Sequence, residues 1–169
     1  MEIFIDVLSE KLLLEVKQYL QSILHKEVWS SSLLAWDKNV HVGLKGSCIT
    51  STLPKNLHKK LEKEVKSILP KYKRLTSQYN VWNYLSGVSL HNDAKAKFGS
   101  TIYLNDHWDL NYGGLFLWSD SNENKIKKVI CPEKNMMILN SNQEYHMVTP
   151  INFDIPEPRC SIQLWGYEN

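Results

Sequence analysis

A chain of 169 residues, 43% of them apolar, can bury a sizeable core as one globular domain, and no break in composition marks a second. A net charge of +2 is too small for strong attraction to a phosphate backbone, so no nucleic-acid partner is expected. No apolar run is long enough to span a bilayer, no leader pattern opens the chain, and Cys48, Cys131 and Cys160 have no framework spacing; a cytoplasmic protein without membrane attachment is expected.

The first β-like run is IFIDV, from Ile3 to Val7. Ser9 then stands where a helix N-cap would, and Leu12, Leu13, Val16, Tyr19, Leu20 and Ile23 recur at helical spacing. A first amphipathic helix is predicted over residues 10–24. A second is predicted from Pro54 to about Leu69, with Leu57, Leu61, Val65 and Ile68 inward, Pro54 in its first turn and Pro70 as its stop. Its lysine-rich KKLEKEVK is interleaved with Glu62 and Glu64, which makes it a solvated face and not a nucleic-acid stripe.

Between the helices lies an irregular stretch, Val28 to Leu53, containing Trp29, Trp36 and His41. A connection of this length inside a compact domain is usually functional, and its aromatics favour an ordered lid.

Beyond Tyr72 the pattern shortens. LTSQYNVWNYL, GSTIYLN, GGLFLW, KKVIC, NMMILN and CSIQLWGY are β-like runs separated by Asn, Asp, Gly and Pro. Two helices followed by many short strands predict a mainly β fold with flanking helices: a double-stranded β-helix (jelly-roll) core buttressed by the two N-terminal helices. The chain is expected to be one domain over residues 1–169, with helical support and lid in about residues 1–72 and the core in about 73–169.

Within the β-rich part, His91 and Asp93 are two residues apart in YLSGVSLHNDAKAKFGSTIY. In extended backbone they share a face and can grip one ion together, although Asn92-Asp93 also reads as ordinary turn composition. A second imidazole would complete the two-histidine, one-carboxylate facial set that holds Fe(II) with positions left open. His146, in NQEYHMVTP, is preferred to His107, which sits among Asn105, Asp106 and Asp109 in what reads as a turn. His25, His41 and His58 lack a carboxylate at ligand spacing.

Of 20 Lys and Arg residues only Arg74 and Arg159 are arginines, which draws notice to Arg159 in PRCSIQLWGY. It shares a strand face with Ser161 and Gln163, while Ile162 and Leu164 point the other way. A guanidinium suits a carboxylate better than an ammonium does, because it forks two donors onto it.

His91, Asp93, His146 and Arg159, with Ser161 following, resemble the iron(II)/2-oxoglutarate-dependent dioxygenases, prolyl 4-hydroxylase-like branch, over roughly Val81 to Tyr167. The resemblance implies His91, Asp93 and His146 as metal ligands. It implies Arg159, Ser161 and Tyr103 on the distal carboxylate of 2-oxoglutarate, and it implies the jelly roll by an argument partly independent of the strand count. Asp93 fills the place that related halogenases leave small, which points to hydroxylation or desaturation. Asn105-Asp106 through Gly113-Gly114 resembles the segment after the cosubstrate tyrosine, although the interval from His146 to Arg159 is longer than usual.

The implied cofactors are Fe(II), 2-oxoglutarate and O2, with ascorbate as a candidate reductant. The implied reaction hydroxylates an unactivated C–H bond with release of succinate and CO2. A peptidyl substrate, proline first, is expected. A free amino acid or other small metabolite is the alternative, and a non-catalytic jelly-roll binding module stands beside both. Base demethylation is disfavoured because no arginine follows Arg159. The loop Trp29–Thr52 and the segment Ala94–Gly99 are placed at the mouth. Tyr84, Trp165, Trp36 and Lys95 are the candidate substrate or supporting residues, and Trp118 is assigned to core packing.

Overall fold

The computed structural model describes residues 1–32, 40, 42–93, 95–119, 125–152 and 154–168. In chain order its elements are β1 (Glu2–Phe4), α1 (Glu10–Ile23), β2 (Ser30–Ser31), β3 (Leu44–Lys45), β4 (Cys48–Thr52), α2 (Lys55–Val65), β5 (Arg74–Trp82), β6 (Gly87–His91) and β7 (Phe98–Tyr103). A 3-10 turn (Leu110–Tyr112) follows, then β8 (Phe116–Ser119), β9 (Ile126–Ile130), β10 (Met137–Asn140), β11 (His146–Val148) and β12 (Arg159–Tyr167). The described residues are therefore mainly β, with helices α1 and α2 and antiparallel pairing in both sheets. The larger sheet has the order β1-β10-β7-β12-β5-β4-β2 and the smaller β3-β6-β11-β8-β9.

Alternation along the strands divides the molecule into layers. In β12, Ile162 and Leu164 join Tyr79 and Val81 of β5, Phe98 and Ile102 of β7, and the apolar stripes of both helices in one core. The opposite face carries Arg159, Ser161, Gln163, Trp165 and Tyr167, all lining a cavity. Beside that cavity a second core joins the sheets through residues such as Trp82, Val88, Phe116, Ile138 and Val148.

Polar ties help to fix the helices. The Ser9 hydroxyl accepts from Leu12 N–H at 3.3 Å and also donates to Glu64 of α2 at 2.8 Å, so the cap of one helix is bonded to the other. Tyr79 O–H donates to the carbonyl of Val16 at 2.9 Å, and burial pushes that phenol's pKa well up.

Three local expectations need correction. Pro54 is the N-cap of α2 and not a first-turn residue, and the helix stops at Val65. Ile68 N–H bonds back to Val65 in a single turn before Pro70, whose ring disfavours helical backbone at Leu69. Cys48–Thr52, expected within the lid, is a strand paired along its own length with the Gln78–Trp82 end of β5; its β-branched Ile and Thr residues suit a strand although its composition reads as loop. Trp29, also expected at the mouth, packs on the helix-sheet core, where its indole N–H donates to Ile23 O at 2.9 Å and closes the end of α1. Trp36 and His41 lie outside the described residues.

Gly166 shows how closely the layers fit. A Cβ there would stand 2.0 Å from Cε1 of the buried Phe98 ring. Gly166→Ala is expected to lower stability by about 1–3 kcal/mol, read as a shifted denaturation midpoint. An unchanged midpoint would mean that Phe98 can yield.

Among the described residues no helix is long and apolar enough to cross a membrane. The three cysteines are free thiols.

Candidate metal and cosubstrate site

Strands β6 and β11 pair with His91 directly opposite His146, and an irregularity in the register follows immediately. Cross-strand partners stand close enough for their side chains to meet, and these rings lie 4.3 Å apart between centroids. Asp93, two residues past the end of β6, brings its Oδ2 to 3.8 Å from His146 Nε2. One ligand atom from each of His91, Asp93 and His146 lies within 4.8 Å of the others. Among the described residues this is the one histidine-carboxylate-cysteine group so placed.

Each ring is held in the same way. His91 Nδ1 lies 2.8 Å from the carbonyl of Ser89, and His146 Nδ1 lies 3.0 Å from the carbonyl of Glu144. A carbonyl can only accept, so each Nδ1 is the protonated nitrogen and each Nε2 keeps its lone pair for an ion. Burial, reinforced by the neighbouring His146, pushes His91 down to about 4 against the pull of Asp93 and the Ser89 carbonyl. His91 is therefore a neutral imidazole at pH 7, the form a metal needs.

The residues that fix these ligands escaped sequence reasoning. The Asn140 amide donates to Glu144 O and accepts from Glu144 N–H, both at 2.9 Å, and so clamps the carbonyl that orients His146. Phe116 stacks on the His146 ring at 5.0 Å. Gly99 makes room for Asp93, since a Cβ there would lie 2.4 Å from Asp93 Oδ2. Its place inside the run GSTIYLN is the sole sequence signal for this close approach. Gly99→Ala is expected to push the carboxylate out of the cluster and weaken divalent-metal binding about ten- to a hundredfold, with modest loss of stability. Titration with Co(II), followed by its visible absorption, checks this, and unchanged affinity would detach Gly99 from the site.

Arg159 enters from the other sheet at the start of β12. It is 1% exposed, between the rings of Trp82 and Tyr103, whose centroids lie 5.6 and 4.8 Å from its guanidinium carbon. Its NH2 donates to Tyr103 Oη at 3.1 Å, and burial holds that phenol in its protonated form although Arg159 pulls the other way. Among the described residues two buried atoms here have no partner, Arg159 Nε and Ser161 Oγ. Among the described residues no carboxylate pairs with this guanidinium. A buried cation without a counter-ion is costly, so the pair of unused donors is a cradle for an anion.

Asn105 sets the strand that carries Arg159. Its amide donates to Pro158 O at 2.9 Å and accepts from Cys160 N–H at 2.7 Å, bracketing the arginine on both sides. Gly114 lies against the arginine's stem, with a Cβ position 3.0 Å from Arg159 Cδ.

The triad, Arg159 and Ser161 line one cavity of about 540 Å3. Its large-sheet wall also carries Gln78, Asn80, Thr101 and Gln163, and its small-sheet wall carries Val88, Phe116 and Val148. Cross-strand register orders that wall. Ser161 faces Tyr103 and Asn80, Gln163 faces Thr101 and Gln78, and Trp165 faces Gly99 and Thr76. The Asp93 carboxylate rests on Gly99, the cross-strand partner of Trp165, toward the other end of β12 from Arg159.

Trp165 and Lys95 line the cavity, and Tyr103 stands behind Arg159 without reaching the lining. Tyr84 does not reach it either. It is 60% exposed in the turn after β5, where Leu85 takes a φ of 61° and Ser86 N–H bonds back to Asn83 O, so the ring swings to solvent. His107 is exposed, its ring 6.4 Å from that of Tyr112, and among the described residues it belongs to no ligand cluster. His58 Nδ1 is 2.7 Å from Ser77 Oγ, a structural contact between α2 and β5. Trp118 packs partly buried against the second core, beneath Lys127.

Residues 77–167 match the sequence profile of the 2OG-Fe(II) oxygenase superfamily. No curated protein matches the chain. Among solved structures, a Trichoplax adhaerens prolyl hydroxylase in complex with a hypoxia inducible factor oxygen degradation domain peptide superposes with a TM-score of 0.76 at 20% identity, covering 99% of this chain and 83% of that one. A Pseudomonas putida prolyl-4-hydroxylase superposes with a TM-score of 0.72 at 11% identity over 99% and 92% of the two chains. The epimerase SnoN, in complex with Fe3+, alpha ketoglutarate and nogalamycin RO, gives 0.69 at 10% identity over 98% and 78%. At such identities the likeness is one of fold.

Proposed function

Because the chain belongs to the 2OG-Fe(II) oxygenase superfamily, we propose that it hydroxylates an unactivated C–H bond of a peptidyl residue, proline first, in the manner of the prolyl 4-hydroxylase-like branch. In this reading the two sheets form a double-stranded β-helix within one domain, with α1 and α2 packed behind the larger sheet. His91, Asp93 and His146 hold Fe(II) on one side of the cavity. Arg159 and Ser161 receive the distal carboxylate of 2-oxoglutarate, with Tyr103 steadying the guanidinium from behind.

One observation carries the reading: the buried donors of Arg159 and Ser161, unpaired among the described residues, line the same cavity as the histidine-carboxylate cluster. The donor set fits the ion, since two imidazoles and a carboxylate are the nitrogen and oxygen ligands Fe(II) takes in oxygenases. The cradle fits the cosubstrate, because a carboxylate supplies the charge and the acceptors that Arg159 and Ser161 lack. Bound together, iron, 2-oxoglutarate and O2 supply the oxidising equivalent that converts a substrate C–H to C–OH with succinate and CO2 as coproducts.

The chain's own residues supply position and exclusion. Arg159 fixes the far end of the cosubstrate, and the amide wall of Asn80 and Gln163 runs beside it. Val88, Phe116 and Val148 keep the triad side of the cavity apolar and exclude stray water. Trp165 and Lys95, at the end away from Arg159, face the substrate.

The test is succinate release from 2-oxoglutarate with proline-containing peptides and, separately, with free amino acids. Peptide-dependent turnover is expected. Turnover with free amino acids alone would replace the peptidyl substrate, and no turnover with either would favour a binding module.

A further inference from the structure

The cavity wall beside Arg159 has a direction built into its hydrogen bonds. Ser161 stands between Tyr103 of β7 and Asn80 of β5 in cross-strand register, and Gln163 stands between Thr101 and Gln78 one step along. Gln78 Nε2 donates to Asn80 Oδ1 at 2.8 Å, and Thr101 O–H donates to Gln163 Oε1 at 2.6 Å. Each contact occupies the amide oxygen of Asn80 or Gln163. Among the described residues it leaves the NH2 end of each without an acceptor, and both side chains line the cavity.

Asn80 is the more constrained of the two. It is 2% exposed, so its NH2 meets the cavity and little bulk water. A buried donor without a partner is costly, and here two more stand beside it, Arg159 Nε and Ser161 Oγ. Residues directly opposite across a sheet meet side by side, and diagonal neighbours come within reach of long side chains. Asn80 is directly opposite Ser161 and diagonal to Arg159, on the same face. Donors to spare therefore gather at one place.

We propose that Asn80 is a further donor to the distal carboxylate of the cosubstrate, with Gln78 as the positioning residue that turns its NH2 toward that carboxylate. This rests on the oxygenase reading above and adds a discriminating group to the cradle of Arg159 and Ser161. A carboxylate brings two acceptor oxygens and can take bonds from Arg159, Ser161 and Asn80 together. An amide end of the same shape has one acceptor oxygen, so it cannot satisfy Arg159 and Asn80 through separate oxygens. Asn80 thereby selects 2-oxoglutarate against its neutral 5-amide, beyond the charge preference that Arg159 sets.

The experiment reads binding and not turnover. Anaerobic protein loaded with Fe(II) is titrated with 2-oxoglutarate and, separately, with its 5-amide, following the chelate band, and thermal midpoints are recorded without ligand. The unaltered chain is compared with Asn80→Leu, Asn80→Asp and Gln78→Leu. Asn80→Leu keeps the volume and is expected to weaken 2-oxoglutarate about tenfold, the scale of one hydrogen bond to a charged group, while the 5-amide and Fe(II) change less than about threefold. Asn80→Asp sets a carboxylate beside Arg159. It should weaken 2-oxoglutarate at least about a hundredfold, bring the two ligands close in affinity, and leave the midpoint level or higher, because the buried guanidinium gains a counter-ion. Gln78→Leu should weaken 2-oxoglutarate about threefold and narrow the discrimination against the 5-amide, which loss of a merely structural contact would not do.

Equal affinity for 2-oxoglutarate in Asn80→Leu and the unaltered chain would overturn the inference and leave the oxygenase reading intact. Equal weakening of both ligands in the Asn80 variants, or a lowered midpoint in Asn80→Asp, would make Asn80 a structural residue remote from Arg159 and overturn it as well. No chelate band in the unaltered protein would remove the oxygenase reading and this inference with it.

Discussion

His146→Ala is expected to abolish Fe(II) binding while leaving a folded protein. The imidazole is one of three groups around the proposed ion position, and a histidine-carboxylate pair alone leaves Fe(II) mostly to water. The loss should exceed the about ten- to hundredfold penalty of disturbing a supporting residue such as Asn140. Folding should survive, because β11 is tied by its backbone to both β6 and β8 whatever the side chain. The measurement is anaerobic titration of the metal-free protein with Fe(II) and then 2-oxoglutarate, following the weak visible band of the chelate. A band of normal strength in His146→Ala would remove His146 from the site, and a band absent from the unaltered protein would sink the oxygenase reading.

Arg159→Met is expected to separate cosubstrate binding from stability, the two moving in opposite directions. The arginine is wholly buried with no carboxylate beside it among the described residues, so the folded protein bears an uncompensated charge. A methionine fills much of the same space without that cost, so denaturation should come at an equal or higher midpoint. Half-saturation by 2-oxoglutarate should rise about a hundredfold, the scale of roughly 3 kcal/mol for losing one partner of a buried charge pair. Arg159→Lys should fall between, since an ammonium keeps the charge and loses the fork. Were Arg159 a structural residue, methionine would destabilise the protein and leave the 2-oxoglutarate requirement unchanged.

What could be read before folding was whatever repeats locally. Helical spacing located α1 to within a residue at its end, and alternation in CSIQLWGY separated Arg159, Ser161 and Gln163 from Ile162 and Leu164. The H-x-D spacing placed His91 and Asp93 on one side of the chain. Each of these depends on neighbours a few positions apart, where backbone period alone decides which way a side chain points.

Where period was lacking, reading failed. Strands β2 and β3 have two residues each, too few to alternate, and β4 is hidden by its serine and threonine. Tyr84 looked like a pocket wall because it precedes a promising motif, yet a turn around Leu85 faces it outward. Trp29 looked like part of a mouth and instead caps a helix end.

The sequence by itself determined the kinds of element, the faces of the long strands and the chemical types of side chain available to an ion and an anion. Only the tertiary structure decided that His91 stands opposite His146, that Gly99 gives Asp93 its room, and that Asn140 and Asn105 hold the two sides of the site. Those facts depend on strand register between segments distant along the chain. Register is set by the packing of both cores together, and a shift of one residue would turn every one of these side chains to the other face.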